Sequence, residues 1–560
     1  MRRRRNPADR RIRLLLAVLV LAFAATLGRA VWLQGVRAAP LARMAESQHR
    51  EVIAVPARRG TIFDRTGSPL AVGQQATTVA ADPRLIKDPR MVARVAATDL
   101  GVDADALAAR LADRAKGFVY VARQADPKKA AKLARRRIQG LDFYPEERRA
   151  YPQRSVASHV LGFAGIDNEG LAGLELSLDR TLAGKPGRKT IVKDPAGRAL
   201  EVVARVPERD GRDVYLTIDH TIQATAEGVL RQTVEDSGAK AASAVVLDPR
   251  TGEILAMAVA PGFDANRFGR TPPERVKNRI VTDTYEPGST FKLVTAAGVL
   301  SERLVTPETA FTLPYRIRVA DRVIHDSHPR PTMRMSVAQI LSLSSNVGTV
   351  TLAQLLGREH LTKWIDRFGF GRSTGLGFPG ESAGILPQWS GSTIGNVPIG
   401  QGIAVTALQM ASAYAVVANR GVRVEPHLVD RIGGGPRTLP KRRRVMTPQL
   451  ADTLSTLLRG VVDEGGTGTE AAIPGYLVAG KTGTAQKPDP TGGYSSSRYV
   501  ASFVGFVPAT DPRLVVLVTV DEPHSSIWGG VVAAPAFQQI AKFALQYLEV
   551  PPDAPLAPTS

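Results

Sequence analysis

An arginine-rich start gives way to an unbroken apolar run from Leu14 to Gly28. As a helix, that run is about 22 Å long, short of the roughly 30 Å hydrocarbon core of a bilayer; extension to Val36 brings it to about 34 Å. Arg29 interrupts the extension, but its long side chain can snorkel to the interface beside Trp32. Residues 14–36 are predicted to form a single-pass transmembrane anchor. The seven arginines among the first thirteen residues predict a cytoplasmic tail over 1–13 and an exported remainder. A cleaved signal peptide is the rival reading, and Ala22-Phe23-Ala24 has the small-x-small form of a cleavage site. That triplet falls inside the apolar run rather than after it, which favours the anchor.

Beyond the anchor, the pattern changes character near Asp213. Residues 37–212 read as a mixed α+β, non-catalytic pedestal. They hold a strand-like run ending in a turn at Arg59–Gly67, a basic, Ala-rich helical stretch over Asp105–Arg137, and a helix start at Gly173-Leu174-Glu175. No group of residues there has an evident chemical role. From 213 to 548 the strand candidates are Val214–Ile218, Ser243–Leu247, Glu253–Ala258, Tyr476–Lys481, Tyr499–Val507 and Leu514–Val520. Asp248–Gly252 and Ala509–Arg513 carry turn chemistry and predict hairpins. Helical periodicity fills the middle, and a last helix covers about Pro535–Leu548. Strands at both ends of a region, with helices between, predict an antiparallel sheet of about five strands covered by helices. Residues 549–560, rich in Pro and Ala, are expected to be disordered.

Composition narrows the chemistry. The 560-residue chain has no cysteine, which removes cysteine nucleophiles, thiolate metal sites and disulfides. Its net charge of +21 is scattered over blocks at Arg2–Arg13, Lys128–Arg137 and Lys441–Arg444. No nucleic-acid motif accompanies them, so nucleic acid is not expected as a partner, and the charge reads as solvated basic surface. His325-x-x-His328 lacks a third metal ligand nearby and reads as a loop.

Three short motifs carry chemistry by their order. In Ser289-Thr290-Phe291-Lys292, serine and lysine three residues apart on a helix share a face. The preceding Pro287-Gly288 puts the serine at the helix start, where N–H groups favour developing negative charge. A serine needs a base within reach, and a desolvated lysine can be neutral enough to serve. Ser344-Ser345-Asn346 alone is no more than a loop or cap. In Lys481-Thr482-Gly483-Thr484, alternation places the two threonines on one side of a strand. Gly483 would let a substrate backbone lie close, and two hydroxyls with a cation nearby suit a carboxylate. Ser-x-x-Lys, Ser-x-Asn and Lys-Thr-Gly in this order are the set of β-lactamases and penicillin-binding proteins.

Over nearly its whole length the chain resembles the class B penicillin-binding proteins. Arg59–Gly67 is similar to that family's RGxIxDRxG motif, and Gly173-Leu174-Glu175 to another landmark of its non-catalytic, or dimerisation, domain. Tyr285–Lys292, Phe378–Ser382 with Gly384–Pro387, Gly400-Gln401-Gly402 with Thr406, and Gly529-Gly530 with Ala533-Ala534-Pro535 resemble its division-specific, FtsI-like branch. The resemblance implies a peptidoglycan D,D-transpeptidase that β-lactams acylate. Ser289 would attack the penultimate D-Ala carbonyl of a stem peptide, with Lys292 as general base. Ser344, helped by Lys481, would relay a proton to the departing amine. Asn346 would hold the substrate backbone, and Thr482 and Thr484 the terminal carboxylate. The N–H groups of Ser289 and Thr484 would form the oxyanion hole. No metal or organic cofactor is implied. The implied partners are a membrane glycosyltransferase of the FtsW type and other division proteins. The implied location is the cytoplasmic membrane at the division septum, with the catalytic domain outside. An elongation-specific enzyme of the same class, a β-lactamase or carboxypeptidase, and an acylated sensor or scaffold are the alternatives.

Overall fold

The computed structural model describes residues 7–36, 50–193, 199–489 and 491–555. Part of the expected cytoplasmic tail, the start of the pedestal and the last five residues of the expected tail lie outside the described residues. The chain divides into two compact units, residues 1–57 with 184–210, and residues 58–183 with 211–560. The first contains the helix Pro7–Val31, continued to Val36 by a wider turn. Arg10–Gly35 is long and apolar enough to cross a membrane. The same unit holds an antiparallel sheet of Arg50–Val55, Gly187–Lys193 and Ala199–Val206.

The second unit is built on a five-stranded sheet. Its strands are β1 (Ala241–Leu247), β2 (Ile254–Ala260), β3 (Ala479–Pro488), β4 (Tyr494–Val507) and β5 (Leu514–Asp521), in the order β2-β1-β5-β4-β3. Every pairing is antiparallel. β2 is apolar throughout and β1 and β5 nearly so, because both of their faces are buried. Val245, Leu247, Val504 and Leu517 enter one core with helices α2 (Lys292–Ser301), α3 (Asn346–Leu356) and α4 (Ala407–Ala418). Ala244, Val246, Phe503 and Val518 enter the other, beneath α1 (His220–Ser237) and α5 (Ala534–Tyr547). All twelve residues of α4 are buried, as expected of a helix that is apolar all round. The Asp248–Gly252 turn closes as its residues predict. Asp248 accepts from the Arg250 and Thr251 N–H groups at 2.8 and 3.3 Å, and Gly252 takes φ +79°.

Three sequence expectations shift. The helical stretch over Asp105–Arg137 is two helices, Ala104–Ala112 and Pro127–Ala134, with the strand Val119–Ala125 between them. Val119 and Val121 point inward and Tyr120 outward, a two-residue alternation that the surrounding alanines and basic residues obscured. The strand expected at Tyr476–Lys481 starts at Ala479 and runs through the polar Lys-Thr-Gly segment. The C-terminal tail stays docked at its start: Val550 is buried, and the Asp553 carboxylate accepts from the Leu477 N–H at 2.7 Å and the Thr510 hydroxyl at 2.7 Å.

Residues on either side of 212/213 share a sheet. Ile62–Phe63 pairs in parallel with Val214–Leu216 within one mixed six-stranded sheet. The two landmarks of the pedestal meet in a buried ion network. Glu175 takes the Arg59 Nε at 2.7 Å and the Arg149 Nε at 2.6 Å on separate oxygens, while Arg59 Nη1 reaches Asp179 at 2.7 Å. Asp64 closes its own turn, accepting from the Thr66 and Ser68 N–H groups at 2.8 Å. Its other oxygen meets His220 Nδ1 at 2.5 Å, at the start of α1. Removing one member of a buried ion network strands the others. Glu175→Ala is therefore expected to cost about 3–5 kcal/mol in denaturant unfolding, and an exposed pair such as Arg420–Asp452, broken by Asp452→Ala, less than about 1 kcal/mol.

Candidate active site

Glycine decides how the nucleophile segment is held. Gly288, at φ +55°, donates its N–H to the Gly400 carbonyl at 3.1 Å. A Cβ there would lie 2.8 Å from the Thr484 carbonyl oxygen, and a Cβ at Gly400 would collide with the Gly288 backbone. Only residues without side chains allow three segments this close. A tight 3₁₀ turn over Gly288–Phe291 then leads into α2. The Thr290 hydroxyl donates to the Pro287 carbonyl at 2.8 Å, and Tyr414, from the buried α4, donates to the Thr290 carbonyl at 3.0 Å. Ser289 is left on the wall of a cleft of about 740 Å³ that Ser344, Asn346, Thr482, Thr484 and Trp528 also line.

Lys292 is the first residue of α2 and is fully buried. Its Nζ donates to the Ser344 carbonyl at 2.5 Å, the Ser344 Oγ at 3.2 Å and the Asn346 Oδ1 at 2.8 Å. Burial, and then the nearby Lys481 ammonium, hold its pKa well below that of an ordinary lysine, against the smaller opposing pull of Asp326. Lys481 is likewise fully buried, and burial brings its pKa down to about 7. Two desolvated amines in one site cannot both hold a proton cheaply, and at Lys292 the repulsion of Lys481 adds to the cost of burial.

The loop between two helices supplies the second motif. Ser344 has φ +57°, a left-handed conformation uncommon outside glycine, and this turns its carbonyl and hydroxyl toward Lys292. Ser345 caps α3, accepting from the Gly348 N–H at 2.9 Å, and donates to Asp326 at 3.0 Å. Asp326 also accepts from the Val347 N–H at 3.0 Å and pairs with Arg330 at 2.6 Å. Sequence reasoning missed Asp326, because nothing in its own segment marks it.

On β3 the alternation holds: Thr482 and Thr484 face the cleft, and Lys481 lies buried behind it. Gly483 lies between the two threonines on the strand. It is absent from the cleft wall, and its missing side chain makes room for the nucleophile turn instead. A Cβ would lie 2.9 Å from Thr290 Cγ2 and would strike Ser502 Oγ. Two further residues were missed. Thr467 shares a 2.8 Å hydrogen bond with the Thr482 hydroxyl, and the Gly529 N–H donates to Thr484 Oγ1 at 3.2 Å. The only available signal was the Gly529-Gly530 pair. The two histidines sit on the cleft wall, His328 against Trp528 with ring centroids 5.2 Å apart. Among the described residues no group of three His, Asp or Glu is disposed to hold a metal.

A serine at a helix start, with one buried lysine on that helix and another on the edge strand of a five-stranded antiparallel sheet, is the arrangement of a serine acyl-transfer site. The penicillin binding protein transpeptidase domain family matches residues 242–542, and the penicillin-binding protein dimerisation domain family matches residues 54–216. The peptidoglycan D,D-transpeptidase FtsI of Escherichia coli K12 is 34% identical, over 97% of this chain and 93% of its own. The penicillin-binding protein PbpB of Mycolicibacterium smegmatis is 36% identical, over 96% of this chain and 89% of its own. Among solved structures, penicillin binding protein 3 of Mycobacterium tuberculosis in complex with aztreonam superposes with a TM-score of 0.71 at 33% identity, covering 90% of this chain and 99% of that one. This chain belongs to the class B penicillin-binding proteins.

The buried lysines make stability depend on pH with a definite sign. Lys481 has a folded pKa of about 7 against 10.5 for an ordinary lysine, so between these values the unfolded chain binds more protons than the folded one. Its contribution then rises with pH across that window and is lost as pH falls from 10.5 toward 7. Denaturant unfolding of wild type and Lys481→Met is expected to show the substitution gaining relative stability as pH falls to 7, with a constant difference below.

Proposed function

We propose that this protein is a serine-acylating peptidoglycan D,D-transpeptidase that cross-links stem peptides at the division septum and is covalently acylated by β-lactams. The observation that carries the reading is Lys292: a fully buried amine, bonded to Ser344 and Asn346, one helical turn from a serine on the cleft wall. In the first half-reaction Lys292 Nζ takes the Ser289 hydroxyl proton as Oγ bonds to the penultimate D-Ala carbonyl carbon. The oxyanion is received by the Ser289 and Thr484 N–H groups, each such donor contributing about 3–4 kcal/mol to the transition state. Collapse breaks the peptide C–N bond. The proton passes through Ser344, helped by Lys481, to the departing D-Ala amine. Asn346 holds the substrate backbone, and the Thr482 and Thr484 hydroxyls hold the carboxylate of the stem peptide or β-lactam. An acceptor amine then attacks the ester in the mirror of the first step, forming the cross-link and freeing Ser289.

The division role rests on finer ground: the Glu286-Pro287-Gly288 and Phe378–Ser382 segments resemble the FtsI-like branch. An FtsW-type glycosyltransferase and other division proteins are the partners we infer, through the anchor and the pedestal. A fluorescent fusion confined to the septum supports this reading, and one spread along the lateral wall favours an elongation enzyme.

The chemistry is tested with fluorescent penicillin. Stable labelling of wild type is expected, with loss of at least about 10³-fold in acylation rate for Ser289→Ala, since removing a covalent nucleophile abolishes its step. Equal labelling of both would overturn the assignment. A label lost within minutes would mark a hydrolase. Lys292→Met is expected to lose acylation without losing the fold, because an apolar side chain fills the same buried space without an amine to desolvate.

A further inference from the structure

Glu286, three residues before the nucleophile, belongs to none of the three motifs. Its Oε1 accepts two hydrogen bonds, from the Gly402 N–H at 2.9 Å and from the Tyr494 hydroxyl at 3.0 Å. Tyr494 opens β4, the hairpin partner of the strand that carries Lys481 to Thr484. Gly402 lies in the loop that runs antiparallel to the nucleophile segment. Tyr285 and Val405 exchange backbone bonds at 3.0 and 2.9 Å at one end, and Gly288 donates to the Gly400 carbonyl at 3.1 Å at the other. Glu286 stands between these backbone ties and joins the loop to the hairpin.

The remaining oxygen, Oε2, is buried with no hydrogen-bond partner, and no ion pair holds Glu286 among the described residues. Burial raises its pKa. A neutral carboxylic acid accepts through its carbonyl oxygen, as Oε1 does twice, so the bracing contact does not need a charge.

We propose that Glu286 is a positioning residue that braces the nucleophile turn, the Gly400–Gly402 loop and the β3–β4 hairpin together, fixing the spacing between Ser289 and Thr484. The inference rests on the reading of Ser289 as nucleophile and of these two N–H groups as the oxyanion hole. Such donors act only within about 2.7–3.1 Å of the oxyanion. A misplacement of about 1 Å at a distance from the chemistry can cost about 100-fold in rate.

The test is rapid-mixing acylation of the full-length chain in detergent by fluorescent penicillin, resolving the dissociation constant of the initial complex from the acylation rate constant. In Glu286→Ala the rate constant is expected to fall about 10- to 100-fold, with the dissociation constant within about threefold and the thermal midpoint close to wild type. Glu286→Gln keeps the carbonyl acceptor and is expected to restore the rate constant to within about threefold of wild type. Tyr494→Phe removes one of the two bonds and should give a smaller loss, and no additional loss in the Glu286→Ala background, as coupled residues are non-additive. A wild-type rate constant in Glu286→Ala overturns the proposal. So does a Glu286→Gln variant as impaired as Glu286→Ala, or a loss in Glu286→Ala that follows a lowered thermal midpoint and is not repaired by glutamine. Failure of the underlying reading has a separate signature, Ser289→Ala labelled like wild type.

Discussion

The burial of two lysines in one site is the constraint on which the rest of the structure depends. Desolvating an ammonium is expensive, and two in proximity repel, so the site favours a neutral amine at Lys292. In the proposed mechanism that amine takes the proton of the Ser289 hydroxyl. Keeping it neutral requires a dry, rigid wall on every side. The closed core of α2, α3 and α4 provides one part of it, with Phe291, Leu293 and Val347 all buried in that core. The edge of the sheet, with Lys481 at its base, provides the other.

Close approach of backbones is the second requirement, and it explains where glycine is used. Gly288, Gly400, Gly483 and Gly529 each stand where a Cβ would meet another segment of the site. Together they bring the nucleophile turn, the cleft loop, β3 and the Gly529 segment within hydrogen-bonding distance. Acyl transfer needs its donors placed before the substrate arrives, because electrostatic stabilisation loses its value if the site must reorganise during the reaction. A framework made of backbone contacts is stiffer than one made of side chains alone.

At its inner end the pedestal contributes through charge as well as apolar packing, Ile62, Leu161 and Leu174 sharing one core with Val245 and Leu247. Arg59, Arg149, Glu175 and Asp179 come from four segments spread over 120 residues and meet in one buried network. Asp64 adds a link to His220 at the start of α1, the helix that covers the catalytic sheet. Ion networks of this kind are geometrically exacting, since each missing partner leaves a charge in low dielectric. That suits a region with no chemistry of its own that must keep a fixed relation to α1.

Much of the catalytic unit was legible along the chain, because β1, β2 and β5 are short, largely apolar runs and the turns beside them are built from Asp, Pro and Gly. The apolar N-terminal helix and the three motifs were legible for the same reason: each is a local pattern whose meaning lies within a few residues. The strand Val119–Ala125 was obscured where local composition favoured helix and pairing with Pro69–Ala81 overrode it. Asp326, Thr467 and the role of Glu286 had no local signature, since each acts on a partner distant in sequence: Thr467 on Thr482, Asp326 on Ser345, Glu286 on Gly402 and Tyr494. The order of residues therefore specified the three motifs and the side chains proposed to carry the chemistry. Only the tertiary structure decided that both lysines are dry, which hydroxyls face the cleft and which segments Gly483 lets approach, because desolvation and close approach are properties of segments that meet only when the chain has folded.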